Sequence, residues 1–192
     1  MSNNWVYKNR FGRPERQCKF TEKNGFVGAI LMEGSKDLNR EVVNTLGAMY
    51  KMCLDEWVPM FQSDNRYIRK FPGVLLEEDR QDRFESDLAD SAKILLMGSI
   101  KSGLVGYLMV SSDHYILSMY VLPEYRKDGI AHSLMELYIN RVDAPQLTVD
   151  PYILDTNAIT FFKNLGFEET TSGLAIIPAV PTELNLIWRA KP

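Results

Sequence analysis

The apolar positions of this chain change period several times, and each change marks an element. Phe26 to Met32 is an apolar run that reads as a strand, closed by Gly34-Ser35. Ser35 or Asp37 can cap the next helix. Leu38, Val42, Leu46, Met49, Tyr50 and Cys53 recur at three and four, predicting a helix that runs to about Glu56. Gly47 in its interior costs up to about 1 kcal/mol against alanine. Trp57, Pro59, Phe61, Tyr67 and Phe71 then read as an aromatic, loop-like segment. From Glu77 to Asp90 seven acids (Glu77, Glu78, Asp79, Asp82, Glu85, Asp87, Asp90) face Arg80 and Arg83. About two turns of it read as helix, with Leu75, Leu76, Phe84 and Leu88 inward and a solvated acidic face. Lys93–Ile100 and Leu104–Ser111 form a hairpin, with Lys101-Ser102-Gly103 at its turn.

The chain is organised around residues 116–140. Ile116 to Leu122 is rich in branched and aromatic residues and suits a buried strand. Pro123 stops it, and Glu124–Asp128 is polar. From Gly129 the period changes: Ile130, Ala131, Leu134, Met135, Leu137 and Tyr138 cover one broad helical face. Strand, short loop and helix meet at Arg126-x-x-Gly129-x-Ala131. There the first N–H groups of a helix point outward unpaired and its dipole presents a positive end. Such a junction suits an anion, and a diphosphate in particular.

Asp143-Ala144-Pro145 breaks that helix, and Gln146–Val149 is a further strand. Asp155 or Thr156 caps a short helix over Asn157–Leu165. Gly166 ends it in a left-handed cap, and Phe167 re-enters a strand. After a linker with Pro178 and Pro181, Glu183–Ala190 is the last strand.

Composition narrows the class. With 192 residues, 45% apolar and 24% charged, the chain is an ordinary globular domain over 26–192, preceded by an arm over 1–25. The arm carries Arg10, Arg13, Arg16 and Lys19, a Gly12-Arg13-Pro14 turn and a short strand near Trp5-Val6-Tyr7. It reads as a plain terminus or as a binding arm. A net charge of −3 makes no case for nucleic acid or an anionic membrane as partner. Cys18 and Cys53 lack metal spacing and are too few for a disulfide framework, so reduced thiols, a cytoplasmic location and no metal are expected. No signal-peptide core, membrane span, repeat or low-complexity tract stands out.

Two segments carry a resemblance. Tyr120-Val121, Pro123 and Arg126-x-x-Gly129-x-Ala131 resemble the acyl-CoA signature of the GCN5-related N-acetyltransferase superfamily. The run Asn157-Ala158-Ile159-Thr160-Phe161-Phe162-Lys163-Asn164-Leu165-Gly166-Phe167 resembles its second conserved element, and Gly106-Tyr107-Leu108 resembles a common strand of the family. The resemblance implies an α+β fold, an α/β/α sandwich. Its mixed, mostly antiparallel central sheet would have about six to seven strands, one pair splayed, with about four flanking helices.

It also implies an acetyl-CoA-dependent N-acetyltransferase acting on a primary amine of a small molecule or protein by direct attack. Acetyl-CoA would be the cosubstrate. Met119, Tyr120 and Val121 would offer main-chain bonds to pantetheine. Arg126, Lys127, Asp128, Gly129, Ile130, Ala131 and His132 would wrap the diphosphate, Arg126 and Lys127 adding charge. Asn157 and Phe162 would lie against the pantetheine arm, the family's asparagine falling at Asp155 or at Asn157. The 57–71 aromatics could line the acceptor side, and the 77–90 acids could draw a cationic amine.

The usual tyrosine that protonates the leaving thiolate aligns with Phe162, which has no proton to give. Tyr152, Tyr115 or Tyr120 could serve instead. Asp150, Asp113 or His114 are candidates for the base, with Tyr115 at the position where several relatives carry one. A catalytically impaired acyl-CoA-binding or protein-interaction module on the same fold is the alternative. The resemblance also allows a homodimer through the terminal strand and, through the basic arm, a macromolecular acceptor.

Overall fold

The computed structural model describes residues 26–32, 34–63, 77–99, 103–142, 144–170 and 183–190. The expectations for the arm, Tyr67, Phe71, Leu75, Leu76, Lys101, Ser102, Asp143 and the Pro178/Pro181 linker fall outside these residues.

Strand β1 (Phe26–Met32) is followed by a single 3-10 turn, Ser35–Asp37, and then by α1 (Arg40–Ser63). The cap of α1 is neither Ser35 nor Asp37 but Asn39, whose Oδ1 accepts the Val42 N–H at 2.9 Å. An asparagine three residues before an otherwise orphan amide is well placed for this bond. Helix α1 also runs past the expected end at Glu56, so Trp57, Pro59 and Phe61 are helical and not loop. Proline fixes a φ that helices share, and its cost is one lost main-chain bond and a local clash. Trp57 packs with Leu46, Met49, Tyr50, Cys53 and Leu54 against the sheet, and that burial carries the helix through.

Helix α2 (Glu77–Asp90) is helical throughout, rather than for two turns, and presents Phe84 and Leu88 to the same cluster. Its acidic face is not wholly solvated. Asp87 accepts the Tyr50 hydroxyl at 2.6 Å, and Arg80 reaches back to Asp55 at 2.5 Å. Burial raises the Asp87 carboxyl above its ordinary range, outweighing the Tyr50 hydrogen bond and the Arg83 charge. A raised carboxyl favours its protonated form on folding, so Asp87 opposes stability at neutral pH and opposes it less as pH falls toward its folded value. We expect Asp87→Asn, which keeps an acceptor for Tyr50, to unfold in urea at pH 7 within about 1 kcal/mol of the parent. Asp87→Ala strands the buried hydroxyl and should lose about 1–3 kcal/mol.

Strands β2 (Ser91–Ser99), β3 (Gly103–Ser111) and β4 (Ile116–Val121) continue the antiparallel order β1-β2-β3-β4. Side chains alternate between two cores. Ile94, Leu96, Tyr107, Met109 and Tyr120 meet α1 and α2, whereas Leu95, Met97, Leu108, Val110 and Val121 face the other way. On that second face lies α3 (Ile130–Val142), burying Ile130, Leu134, Met135 and Tyr138.

Strand β5 (Gln146–Val149), helix α4 (Thr156–Asn164), β6 (Glu168–Glu169) and β7 (Leu186–Arg189) complete the described elements. β7 lies between β5 and β6, antiparallel to both.

The expected central sheet of six to seven strands with one splayed pair stands, among the described residues, as two sheets, one of four strands and one of three. Among the described residues their junction is one parallel bridge, Tyr115 to Thr148, with the Thr148 N–H donating to His114 O at 3.1 Å. Two features end the ladder there. Pro151, two residues after β5, has no N–H to donate. Leu117 is an extra residue in β4, since Met109 pairs with Ser118 and Val110 with Ile116. A bulge of this kind increases local twist and bends the strand away.

Candidate active site

Beyond the bridge, the edge of β4 that does not pair with β3 runs from the bulge to Val121 without a strand partner among the described residues. Met119 is partly buried on the α3 side, Tyr120 points to α1, and Val121 packs toward α3. Leu122, Tyr125 and Arg126 give their N–H groups to Val105, Leu122 and Pro123 carbonyls at 2.9, 2.9 and 3.2 Å. The next main-chain bond into this turn is the Ser133 N–H to Gly129 O, at 2.9 Å. Among the described residues the amides of 127–132 make no main-chain hydrogen bond of ordinary length and angle, although 126–129 is itself a turn.

Lys127 and Gly129 both have positive φ, 70° and 80°. Left-handed residues among right-handed ones turn successive N–H groups into one concavity, which suits an anion. A Cβ on Gly129 would meet nothing within 4 Å, so the concavity opens outward at that residue. Lys127, Asp128, Gly129 and His132 are exposed, Ile130 is buried and Ala131 half-buried.

The start of α3 is held close by a glycine in β3. A Cβ on Gly106 would lie 3.0 Å from Ile130 Cγ2 and 3.3 Å from both Tyr120 O and Val121 Cγ2. Its absence lets Ile130 seat against the strand, and so sets the height of the amide turn above the sheet.

Arg126 does not point its guanidinium outward. Its Nε donates to Val121 O at 3.0 Å, its Nη2 donates to both Glu56 carboxylate oxygens at 2.7 and 2.8 Å, and its Cζ stands 5.2 Å from the Tyr120 ring centre. The Tyr120 hydroxyl donates to Glu56 Oε1 at 2.6 Å. Burial pushes the Glu56 carboxyl up, but hydrogen bonds from Arg126 and Tyr120 outweigh it and hold it below the ordinary carboxylate value. Burial and then Glu56 push the Tyr120 phenol up, so it is a poorer acid than a free one. Burial, with the charges of Glu56 and Asp155, also pushes the Cys53 thiol up to about 12, leaving it a thiol and not a nucleophile at neutral pH.

The remaining expected residues divide along the splay. Tyr115 sits at its closed end, at the bridge itself. Burial, Asp150 and Glu183 raise its phenol. Asp150 accepts the Asn185 amide at 2.6 Å, while Tyr152 is buried, 3% exposed, and bridges to Glu183. Asp155 is the cap of α4, its Oδ1 accepting the Ala158 N–H at 2.9 Å, which decides between Asp155 and Thr156. Asn157 is exposed on the first turn. Phe162 is 4% exposed in the α3-side core, with Phe161 and Phe167 rings at 5.2 Å. Asp113 accepts the Ser111 hydroxyl, and His114 Nδ1 meets the Tyr138 hydroxyl at 3.0 Å, both on the turn before β4. Glu56 is a site residue that no sequence pattern picks out. Its partners lie 64 and 70 residues away, and nothing in a helical period announces them.

A splayed strand pair, an open amide turn and a helix behind it are the parts that the two sequence motifs lead us to expect. A family model described as an acetyltransferase (GNAT) domain matches residues 64–175, more than half of the chain. The chain belongs to this family of acetyltransferases, the GCN5-related N-acetyltransferases.

Several solved structures share the fold. YjaB from Escherichia coli, solved in its apo form, is 17% identical, with 84% of this chain and 96% of that one covered at a TM-score of 0.55. The PaiA N-acetyltransferase from Thermoplasma acidophilum, solved with coenzyme A, is 15% identical, with 85% and 100% covered and a TM-score of 0.53. A GCN5-related N-acetyltransferase from Rhodopseudomonas palustris is 16% identical, with 86% and 98% covered and a TM-score of 0.58. No curated protein matches the chain. Among the described residues no helix is long and apolar enough to cross a membrane.

Proposed function

We propose that this protein is an acetyl-CoA-dependent N-acetyltransferase that acetylates a primary amine by direct attack. The observation that carries the proposal is the open turn of free amides over 127–132 beside an unpaired stretch of β4. The coenzyme A in the PaiA structure supports the same reading by fold.

A thioester supplies an activated acyl carbonyl. The chain's own part is to hold, orient and move protons. Amides of 127–132 bind the diphosphate, which leaves Arg126 free to serve Glu56. Main-chain groups of Met119, Tyr120 and Val121 align the pantetheine, with one N–H near the acyl oxygen to take up its developing charge. Asn157 lies at the far wall, and Phe162 backs that wall from the core. The amine nitrogen bonds to the acyl carbon to give a tetrahedral intermediate, whose carbon–sulfur bond then breaks; one proton leaves nitrogen and one reaches sulfur.

For the proton to sulfur, geometry favours Tyr152. It follows the end of β5, beyond the bridge that closes the splay, whereas Tyr115 lies at that bridge, about 16 Å of strand below Tyr120. Tyr152→Phe should lower kcat by about a hundredfold with KM for acetyl-CoA within about threefold, the size of a lost general acid. Tyr115→Phe should leave kcat within about threefold. Equal losses in the two variants would reject Tyr152 for this role.

The function itself is tested by calorimetry with acetyl-CoA and by thiol release across a panel of primary amines. Absence of binding at millimolar acetyl-CoA would end the proposal. A second reading is favoured by the commitment of Tyr120 to Glu56 and by the apolar Phe162: a module that binds acyl-CoA without turnover. Binding with no thiol release for any amine would select it.

A further inference from the structure

From its three hydrogen bonds we infer that Glu56 is a positioning residue of the coenzyme site, one that couples α1 to the amide turn. The inference rests on the reading that 127–132 takes the diphosphate.

Arg126 is the residue from which that turn departs. Its backbone N–H is bonded to Pro123 O at 3.2 Å and its Nε to Val121 O at 3.0 Å, so its side chain and main chain together clamp the end of β4 to the start of the turn. The clamp is completed only by Glu56. One carboxylate holds Arg126 Nη2 by both oxygens, at 2.7 and 2.8 Å, and the Tyr120 hydroxyl at 2.6 Å. Tyr120 in turn lies under the guanidinium, with its centroid 5.2 Å away. Three groups, on α1, on β4 and on the turn after it, thus fix one another, and the last two belong to the segment that receives coenzyme.

Two roles are excluded by the same contacts. A carboxylate already accepting three hydrogen bonds, and held below its ordinary value by them, is a poor general base. A guanidinium neutralised by Glu56 is a poor direct partner for phosphate. What remains is geometry. Removing Glu56 frees a long cationic side chain at the root of the turn and unfastens Tyr120, so the amides no longer start in one arrangement and binding must order them.

The test uses the full chain and coenzyme A itself, with calorimetry and thermal unfolding. Glu56→Ala should weaken coenzyme A binding about tenfold, within the usual range for coupled sites. Glu56→Gln, which keeps one acceptor oxygen for Tyr120 and Arg126 but turns an amide donor toward the guanidinium, should recover only part of that loss. Arg126→Ala should weaken binding similarly, and the double variant Glu56→Ala/Arg126→Ala should bind no worse than the poorer single one. The unliganded unfolding temperature should change little in Arg126→Ala, whose side chain is about two-fifths exposed, and fall modestly in Glu56→Ala, which strands the hydroxyl of the buried Tyr120. Additive losses in the double variant, or unchanged affinity in Glu56→Ala beside a parent that binds, overturns the inference and leaves the coenzyme reading standing. A parent that does not bind coenzyme A removes the coenzyme reading itself.

Discussion

Gly129→Glu should weaken coenzyme A binding by at least about a hundredfold. Two costs add. The φ of 80° at Gly129 is one that L side chains adopt at about 1–2 kcal/mol, so with a side chain the free turn relaxes out of its binding shape and binding must restore it. The larger cost is electrostatic. A Cβ here points into open space, with no atom within 4 Å, so nothing keeps the new carboxylate from swinging over the mouth of the amide turn. Like charges about 4 Å apart near a protein surface repel by about 4 kcal/mol at an effective dielectric of about 20. Half of that alone, after the side chain swings aside, together with the backbone cost exceeds the roughly 2.7 kcal/mol of a hundredfold loss. Gly129→Ala carries the backbone cost only and should lose about tenfold or less. Calorimetry separates the two variants. A glutamate variant that binds like the alanine one would show that the diphosphate lies elsewhere.

Phe162→Ala should destabilise the protein by about 3–5 kcal/mol in urea unfolding, the range for a fully buried phenyl ring. The ring is 4% exposed, edge-on to Phe161 and Phe167, inside the cluster that also holds Leu134, Met135 and Tyr138. Phe162→Tyr is the more informative change. If the para position faces the core, the new hydroxyl is buried without a partner and costs about 1–3 kcal/mol. We expect that loss, with no gain in turnover. A tyrosine variant of unchanged stability and higher kcat would instead put this ring beside the sulfur and make it the proton donor's natural place.

Much of the fold was legible because it is local. The period-three-and-four run from Ile130 to Tyr138 and the matching range of β5 needed no knowledge of neighbours. Asp155 and Gly166 marked the two ends of α4 by capping chemistry that acts within a few residues. Local signals misled where tertiary packing competes with them. Pro59 looked like a stop, yet α1 continues because the half-buried Trp57 packs against the core beneath it. Asp87 looked solvated, yet Tyr50, 37 residues earlier, turns it inward.

The candidate site divides in the same way. For the amide turn, the residues in chain order are enough: a strand end, Pro123, a glycine at 129 and an amphipathic helix leave main-chain N–H groups facing outward. The side chains around it took their roles from packing alone. The fold divided the strands between two sheets at the Tyr115–Thr148 bridge, put Phe162 into the core, and gave Arg126 to Glu56 across 70 residues of chain. The reason is physical. Main-chain geometry follows from neighbours in sequence, whereas a side chain's partner depends on which distant element burial brings alongside it.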